Sequence, residues 1–269
     1  MASAKYGSTL RGALRKMPGV QRLQAKRYER VFLSRCGYGF SRGVFRTFDE
    51  ARASVAGEAP TGPDAPGYSE HHVDRIERIF YYDYPVLHWL GPSLKKDASI
   101  FDIGGNVGVH YYSYQRYLPF PPGLTWTVCE VATLIARGES IARERSATSL
   151  RFTRRLEDAE GSDCLVSAGA LQYIEAPSLG GILGALRRRP RHLLLNKLPI
   201  YDGPSFVTLQ NGGVTFLPQH VFNRASLLGD LAGLGYQLRD EWDVPHLSCR
   251  VPFHEGRSVP SYTGMYLSL

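Results

Sequence analysis

A glycine-rich turn at residues 104–108, with the sequence GGNVG, constrains the fold more than any other feature of this 269-residue chain. The apolar run Ser99–Ile103 leads into the turn, and the residues that follow it have helical composition. Glycines let a backbone approach a ligand closely, and the first turn of a helix offers free N–H groups. Because ligands of open parallel sheets bind outside the carboxyl ends of the strands, this turn predicts an α/β fold with a ligand site.

Short apolar runs alternate with helical stretches from residue 98 onwards. This alternation favours a Rossmann-like, doubly wound and mostly parallel α/β sheet with helices on both faces. The predicted parallel strands are Ser99–Ile103, Thr125–Val131, Leu150–Thr153, Asp163–Ala168 and His192–Asn196. A closing antiparallel pair is predicted at Tyr236–Trp242 and Tyr262–Leu269, and helices are predicted at Val107–Tyr117, Leu134–Arg145, Ser178–Arg188 and 220–235.

The sequence divides into three regions of different character. We assign residues 1–40 to a basic amino-terminal arm, 41–97 to a helical cap or lid, and 98–269 to the Rossmann-like core. Apolar residues fall on helical spacing within 41–57, which favours a helix there. The core contains an insert around 198–222, which we expect to be rich in loops and to cover the substrate.

An acidic residue follows the second predicted strand of the core. Glu130 stands 22 residues after Gly108, where a carboxylate can accept both hydroxyls of a ribose, as it does in dinucleotide-binding folds. The turn and this acid together predict a cofactor that contains a nucleoside. The glycines do not match the dinucleotide fingerprint G-x-G-x-x-G, so an NAD-dependent oxidoreductase is disfavoured.

The spacing D-x-G-G-N-x-G at 102–108 resembles motif I of the class I S-adenosylmethionine-dependent methyltransferases, with Asn106 where a glycine is usual. Residues 163–175 resemble the fourth strand of these enzymes and the turn after it. Over 40–245 the chain is similar to a small bacterial family of methyltransferases, often found in polysaccharide or specialised-metabolite gene clusters. The phrase D-x-G-G-N-x-G-x-H-Y-Y is the most specific part. The alternative is a structural glycine turn in another α/β fold.

This resemblance implies the methyltransferase fold and S-adenosyl-L-methionine as cofactor, and it gives no substrate. It also implies which residues hold the cofactor. They lie in the turn, after the second and third strands, and at the end of the fourth. The expected cofactor-binding residues are Asp102, Gly104, Gly105, Asn106, Gly108, Glu130, Val131, Glu157, Ser167 and Ala168.

His110 is the leading candidate for a catalytic base. It lies two residues beyond Gly108 in the predicted helix, and imidazole accepts a proton near neutral pH. The alternative is that His110 orients the turn or a carboxylate of the cofactor. Tyr173 and Gln172 are second catalytic candidates, for positioning the acceptor at the mouth of the cofactor pocket.

Substrate contacts are expected from five further residues. Tyr111 and Tyr112 follow His110, and only one of them should face the ligand because consecutive helical residues point in different directions. Asn196 ends the fifth predicted strand, at the functional edge of the sheet. Gln210 and His220 lie in the insert, although His220 could instead be an ordinary capping or surface residue.

The chain carries a formal net charge of +7, and its amino-terminal end is strongly basic. The basic arm could contact an anionic membrane surface or nucleic acid, or it could be a solvated extension. No nucleic-acid motif is visible, so nucleic acid is a disfavoured partner. We expect a small-molecule or glycan acceptor that is methylated on oxygen. N-methylation, RNA methylation and non-catalytic cofactor binding are the alternatives.

The cysteines and the apolar segments indicate the compartment. Cys36, Cys129, Cys164 and Cys249 show no C-x-x-C spacing, and no His, Asp or Glu cluster has metal-ligand spacing, so we expect no metal. Unpaired cysteines, the lack of an apolar run of membrane-spanning length and the lack of a secretory signal favour a cytoplasmic location. The oligomeric state is left open, a homodimer being one option.

Overall fold

The structure is a computed structural model that describes residues 18–57, 60–62, 65 and 73–269. In these residues the α-helices are α1 Pro18–Phe32, α2 Phe48–Ala53, α3 Tyr84–Leu90, α4 Val109–Tyr114, α5 Ala132–Glu144, α6 Leu179–Ala185 and α7 Arg224–Gly233. The strands are β1 Ser41–Phe45, β2 Ser99–Ile103, β3 Thr125–Cys129, β4 Leu150–Thr153, β5 Cys164–Ala168, β6 His192–Leu198, β7 Ile200–Tyr201, β8 Phe206–Asn211, β9 Phe216–Asn223, β10 Gln237–Val244 and β11 Tyr262–Ser268.

The central sheet has the order β10-β11-β6-β5-β2-β3-β4. Strands β2 to β6 are mutually parallel, and β11 runs antiparallel to both of its neighbours, β6 and β10. From β2 the chain builds outward to β3 and β4, and it then returns to the other side of β2 for β5 and β6. The prediction of a Rossmann-like, doubly wound sheet with a carboxyl-terminal antiparallel strand is therefore confirmed.

Alternating side chains of the central strands form two separate hydrophobic cores, one on each face of the sheet. Successive residues of a strand point to opposite faces, so Ile100 packs with α4 and α5 whereas Phe101 packs with α6 and α7. The five residues of β5 are all buried, as expected for a parallel strand covered on both faces. This two-sided burial explains the apolar runs at Cys164–Val166 in β5 and Leu193–Leu195 in β6.

A second, smaller sheet has the order β1-β8-β9-β7. Strands β8 and β9 form an antiparallel hairpin, and β1 pairs antiparallel with β8. The insert around 198–222 is therefore built of strands rather than loops. Two local predictions are corrected with it: residues 41–45 are a strand before α2, and the helix predicted at 220–235 starts at Arg224.

The amino-terminal helix is held against the second sheet. The Nδ2 of Asn211 donates to the carbonyl oxygens of Phe32 and Ser34, at 2.6 and 2.9 Å, and so caps the end of α1. The predicted basic arm is described only from residue 18, and residues 1–17 lie outside the described part of the chain. Among the described helices none is both long enough and apolar enough to cross a membrane.

The central sheet should dominate the stability of the fold. Leu194 lies in β6 and has no exposed surface, so Leu194→Ala removes a fully buried side chain. We expect this variant to lower the free energy of unfolding by about 2–5 kcal/mol. The matched control Leu23→Ala, on α1 where Leu23 is 70% exposed, should change it by no more than about 0.5 kcal/mol. Urea unfolding monitored by circular dichroism measures both variants. Equal losses of unfolding free energy would contradict the conclusion that the central sheet dominates stability.

Candidate functional site

A cavity of about 1010 Å³ lies at the carboxyl ends of the central strands. Its wall includes the turn after β2 and the ends of β3, β5 and β6. The strand order reverses between β2 and β5, which is the position where open parallel sheets bind ligands. Ser41, Gln210 and Leu217 of the second sheet line the same cavity. The two sheets therefore enclose one site of a size suited to a small-molecule ligand.

The glycine turn has a shape that side chains would not permit. Gly104, Asn106 and Gly108 have φ angles of 71°, 55° and 93°, a region that favours glycine and tolerates asparagine. A Cβ on Gly104 would overlap the Cβ of Ala170, so the loops after β2 and β5 touch at this point. A Cβ on Gly105 would overlap the carboxylate of Asp102. Both glycines are therefore required by close packing under the cavity.

Glu130 joins the end of β3 to the glycine turn. Its Oε1 accepts a hydrogen bond from the backbone N–H of Asn106 at 3.2 Å, and its Oε2 accepts one from that of Val131 at 3.0 Å. The side chain is half-buried and lines the cavity. An ionised carboxylate offers about four lone-pair sites, and the position of Glu130 on the cavity wall brings its oxygens within reach of a ligand.

His110 and Asp102 form a buried pair beneath the cavity. The Nδ1 of His110 lies 3.1 and 3.0 Å from the two carboxylate oxygens of Asp102, and Trp126 Nε1 donates to Oδ2 at 3.2 Å. An ionised carboxylate only accepts, so Nδ1 of His110 is the donor toward Asp102, and Nε2 is the acceptor nitrogen of the neutral ring. His110 lines the cavity, whereas Asp102 is fully buried. The carboxylate expected to bind cofactor directly is thus placed to orient His110.

Tyr173 connects the loop after β5 to the second sheet. Its hydroxyl donates to the side-chain oxygen of Gln210 at 2.6 Å, and both residues line the cavity. The adjacent Gln172 also lines it and donates from Nε2 to the carbonyl oxygen of Lys197 at 3.4 Å. The structure therefore brings together three residues that the sequence predicts for catalysis and substrate contact.

The predicted cofactor residues divide between the wall and the layer beneath it. Gly104, Gly105, Asn106, Glu130, Val131 and Ala168 line the cavity. Gly108 and Ser167 support the wall from below: Gly108 packs against Leu150, and the Ser167 hydroxyl donates to the carbonyl oxygen of Ile103 at 3.0 Å. Glu157 is exposed on a short 3-10 helix beyond β4, and its neighbour Leu156 lines the cavity instead.

The structure corrects the placement of several predicted substrate residues. Tyr111 and Tyr112 are buried on the far side of α4, because residues 109, 110 and 113 form the face that lines the cavity. Asn196 is fully buried and donates to the carbonyl oxygen of Tyr82 at 2.9 Å. His220 packs between the rings of Phe48 and Phe222. All four stabilise the fold around the site.

Lys197, Asp83 and Arg75 are among the cavity residues that were not predicted from the sequence. Lys197 directly follows Asn196, so the strand-end argument that selected Asn196 could have selected it. Asp83 and Arg75 come from the segment before α3, where the sequence shows only irregular helical character. Within the described part of the chain, no cluster of three or more His, Cys, Asp or Glu side chains is positioned to hold a metal ion.

Comparison with known proteins gives similarity of fold only. No protein-family model matches the chain, and no curated protein matches it in sequence. The resemblance to the small bacterial methyltransferase family therefore stays a prediction. Among solved structures, one similar protein is assigned as an S-adenosylmethionine-dependent methyltransferase from Listeria monocytogenes. It is 10% identical, with a TM-score of 0.49, and the match covers 69% of this chain and 97% of that one.

Two further solved structures are similar at the same level. A SAM-dependent methyltransferase from Aquifex aeolicus is 13% identical with a TM-score of 0.47, and the match covers 73% of this chain and 94% of that one. OxaC, solved with SAH and oxaline, is 14% identical with a TM-score of 0.47, and the match covers 75% of this chain and 50% of that one.

The partial burial of His220 should affect the pH dependence of the free energy of unfolding. Burial lowers the pKa of His220, and the backbone carbonyls of Glu175 and Ile174 raise it by less. Because the folded pKa lies below the unfolded value of about 6.5, the unfolded state binds more protons as the pH falls through that value. His220 therefore costs stability at low pH.

We expect His220→Phe to reduce the loss of unfolding free energy between pH 7.5 and 5.5, because phenylalanine keeps the packing against Phe48 and Phe222 without a proton to bind. Urea unfolding at the two pH values measures the difference. An undiminished loss in the variant would show that His220 is not the group responsible.

Proposed function

We propose that this chain is an S-adenosylmethionine-dependent methyltransferase that methylates an oxygen atom of a small-molecule or glycan acceptor. The observation that carries the proposal is the convergence of the glycine turn after β2 and Glu130 after β3 on one cavity, at the point where the strand order reverses. The resemblance of 102–108 to motif I supports the same cofactor.

The residues at the cavity fit this cofactor. The Glu130 carboxylate lines the cavity at the end of β3, where it would accept the two ribose hydroxyls. Val131, Leu134 and Leu156 form an apolar wall beyond it, which suits a purine ring. Gly104 and Gly105 bring backbone rather than side chains to the cavity. When bound, S-adenosylmethionine supplies a methyl group made electrophilic by its sulfonium.

The pair formed by His110 and Asp102 would handle the proton of the acceptor. A hydroxyl becomes a better nucleophile as it loses its proton, so a base beside it accelerates transfer to the methyl group. The Asp102 carboxylate would hold the neutral ring in the tautomer whose acceptor nitrogen is Nε2, and it would stabilise the imidazolium that forms on protonation. This arrangement favours oxygen acceptors, since a hydroxyl depends more on deprotonation than a neutral amine does.

Tyr173 and Gln172 would position the acceptor on the β5 side of the cavity. The hydrogen bond from the Tyr173 hydroxyl to Gln210 fixes the ring across the junction of the two sheets. Holding the two reactants at the correct distance and angle supplies much of the rate of an in-line displacement. The enclosed cavity would also keep water away from the reacting groups.

Calorimetry with SAH tests the cofactor directly. We expect wild-type protein to bind SAH and not NAD, and Gly104→Ala to weaken SAH binding by about tenfold or more, because its Cβ would overlap Ala170. The matched control is Gly256→Ala: Gly256 has a φ of 69°, close to the 71° of Gly104, but a Cβ there meets no atom within 4 Å.

The control variant should bind SAH like the wild type, and melting curves should show that both variants are folded. Wild-type protein that binds no SAH at high micromolar concentrations would refute the proposed function. Equal weakening in the two variants would show that backbone strain, and not the close approach at Gly104, is the cause.

The role of His110 is tested by separating binding from turnover. We expect His110→Ala to keep SAH affinity within about threefold, while product formation from a pooled hydroxyl-acceptor library falls by about 10²–10⁴-fold. Mass spectrometry of the products and calorimetry give the two measurements. Loss of SAH binding would instead make His110 a cofactor ligand, and unchanged turnover would remove the base from the mechanism.

A further inference from the structure

Lys197 lies on the cavity wall at the end of β6, across the site from the nucleoside side. Its aliphatic chain packs across Gly169 in the loop after β5: a Cβ on Gly169 would lie 3.5 Å from both Cβ and Cε of Lys197. The ammonium nitrogen stands 5.4 Å from the centre of the Tyr82 ring. The side chain therefore follows a defined path along the wall.

The backbone of Lys197 is fixed in a conformation that few residues other than glycine adopt. Its φ is 59°, its N–H donates to the side-chain oxygen of Asn196 at 3.0 Å, and its carbonyl oxygen accepts from Gln172. Asn196 is itself held by Trp242, whose Nε1 donates to the same oxygen at 3.1 Å. Such strained residues persist where the surroundings determine them, and they concentrate at ligand sites.

Among the described residues the ammonium of Lys197 has no hydrogen-bond acceptor and no ion pair; it lies against the Tyr82 ring and in the electrostatic field of Asp83. Burial lowers the pKa of Lys197; Asp83 raises it and Arg75 lowers it. A half-buried ammonium with three donors and no acceptor is an incomplete site, because desolvation of a charge is normally offset by a partner.

Arg75 lines the same cavity and stands in the electrostatic field of Lys197. Its guanidinium lies over the Phe80 ring, 5.8 Å from the centre, and among the described residues it forms no ion pair. Asp83 is the nearby acid, and one of its oxygens already accepts the N–H of Phe80 at 3.0 Å. Lys197 and Arg75 together present two cationic groups to the cavity, and we call this pair the cationic wall.

We propose that the methyl acceptor carries an anionic oxygen group, a carboxylate or a phosphate, and that this group binds to the cationic wall. The inference rests on the proposed function and specifies its substrate class. A carboxylate of the cofactor is the other source of the same chemistry. Glu130 places the nucleoside toward β3, whereas Lys197 ends β6, two strands beyond β2 and so roughly 10 Å from it. This separation assigns the cationic wall to the acceptor.

The test uses inorganic phosphate as the probe and SAH as a separate ligand. With saturating SAH and constant ionic strength, we expect phosphate to raise the Tm of the wild type along a saturating curve. Lys197→Gln and Arg75→Gln should each weaken this response by about tenfold or more, because each removes a charge that holds the anion. The matched control is Lys96→Gln, which changes an exposed lysine outside the cavity and should behave like the wild type.

The calorimetric affinity for SAH should stay within about twofold of the wild type in all three variants. A tenfold loss of SAH affinity in Lys197→Gln would assign the site to the cofactor carboxylate and overturn the proposal. If SAH binding is intact, two further results would also overturn the proposal: no phosphate response in the wild type, or the same phosphate response in the wild type and both cavity variants. Failure of the wild type to bind SAH would instead refute the proposed function.

Acceptor screening gives an independent measurement. Hydroxy acids should be methylated by the wild type in preference to their uncharged amides, and Lys197→Gln should abolish this preference while Lys96→Gln keeps it. Equal use of acids and amides by the wild type would contradict the proposal even if phosphate binds.

Discussion

The buried carboxylate of Asp102 is the interaction on which the rest of the site depends. A carboxylate without exposed surface on the central strand is costly unless donors surround it, and His110 and Trp126 supply those donors. The same carboxylate occupies the space where Gly105 would carry a Cβ. One buried charge therefore fixes the orientation of an imidazole and restricts the composition of the turn above it.

Glu130 completes this arrangement from the neighbouring strand. By accepting the N–H of Asn106, it binds the turn to the end of β3. The turn thus lies between two carboxylates, one beneath it and one beside it, which have different surroundings. Asp102 is sealed from solvent and orients a side chain, whereas Glu130 faces the cavity and can accept hydrogen bonds from a ligand. The difference in burial therefore separates the orienting role of Asp102 from the ligand-binding role of Glu130.

Much of the central sheet could be predicted from sequence, because strands covered on both faces are mostly apolar, as Cys164–Ala168 is with Ser167 as its single polar residue. The second sheet could not. Its pairing of Ser41 with Gln210 joins segments 169 residues apart, and local periodicity carries no information on such a partner. The same limit explains why Gln210 was expected in a loop and why residues 41–45 were expected to be helical.

The candidate site was predictable where backbone geometry restricts residue type, as in Gly104 and Gly105, and where an acid follows a strand, as Glu130 does. The site was not predictable where the direction of a side chain decides whether the residue faces the cavity or the core. Tyr112 and Asn196 stand beside true cavity residues along the chain, yet they turn into the core.

The most direct test of the account is a crystal structure of the chain grown with SAH. We expect the ribose hydroxyls to bind the carboxylate of Glu130 and the ligand to lie against Gly104 and Gly105, with Nε2 of His110 facing the sulfur end of the cavity. An SAH molecule bound elsewhere, or one whose ribose makes no contact with Glu130, would contradict it.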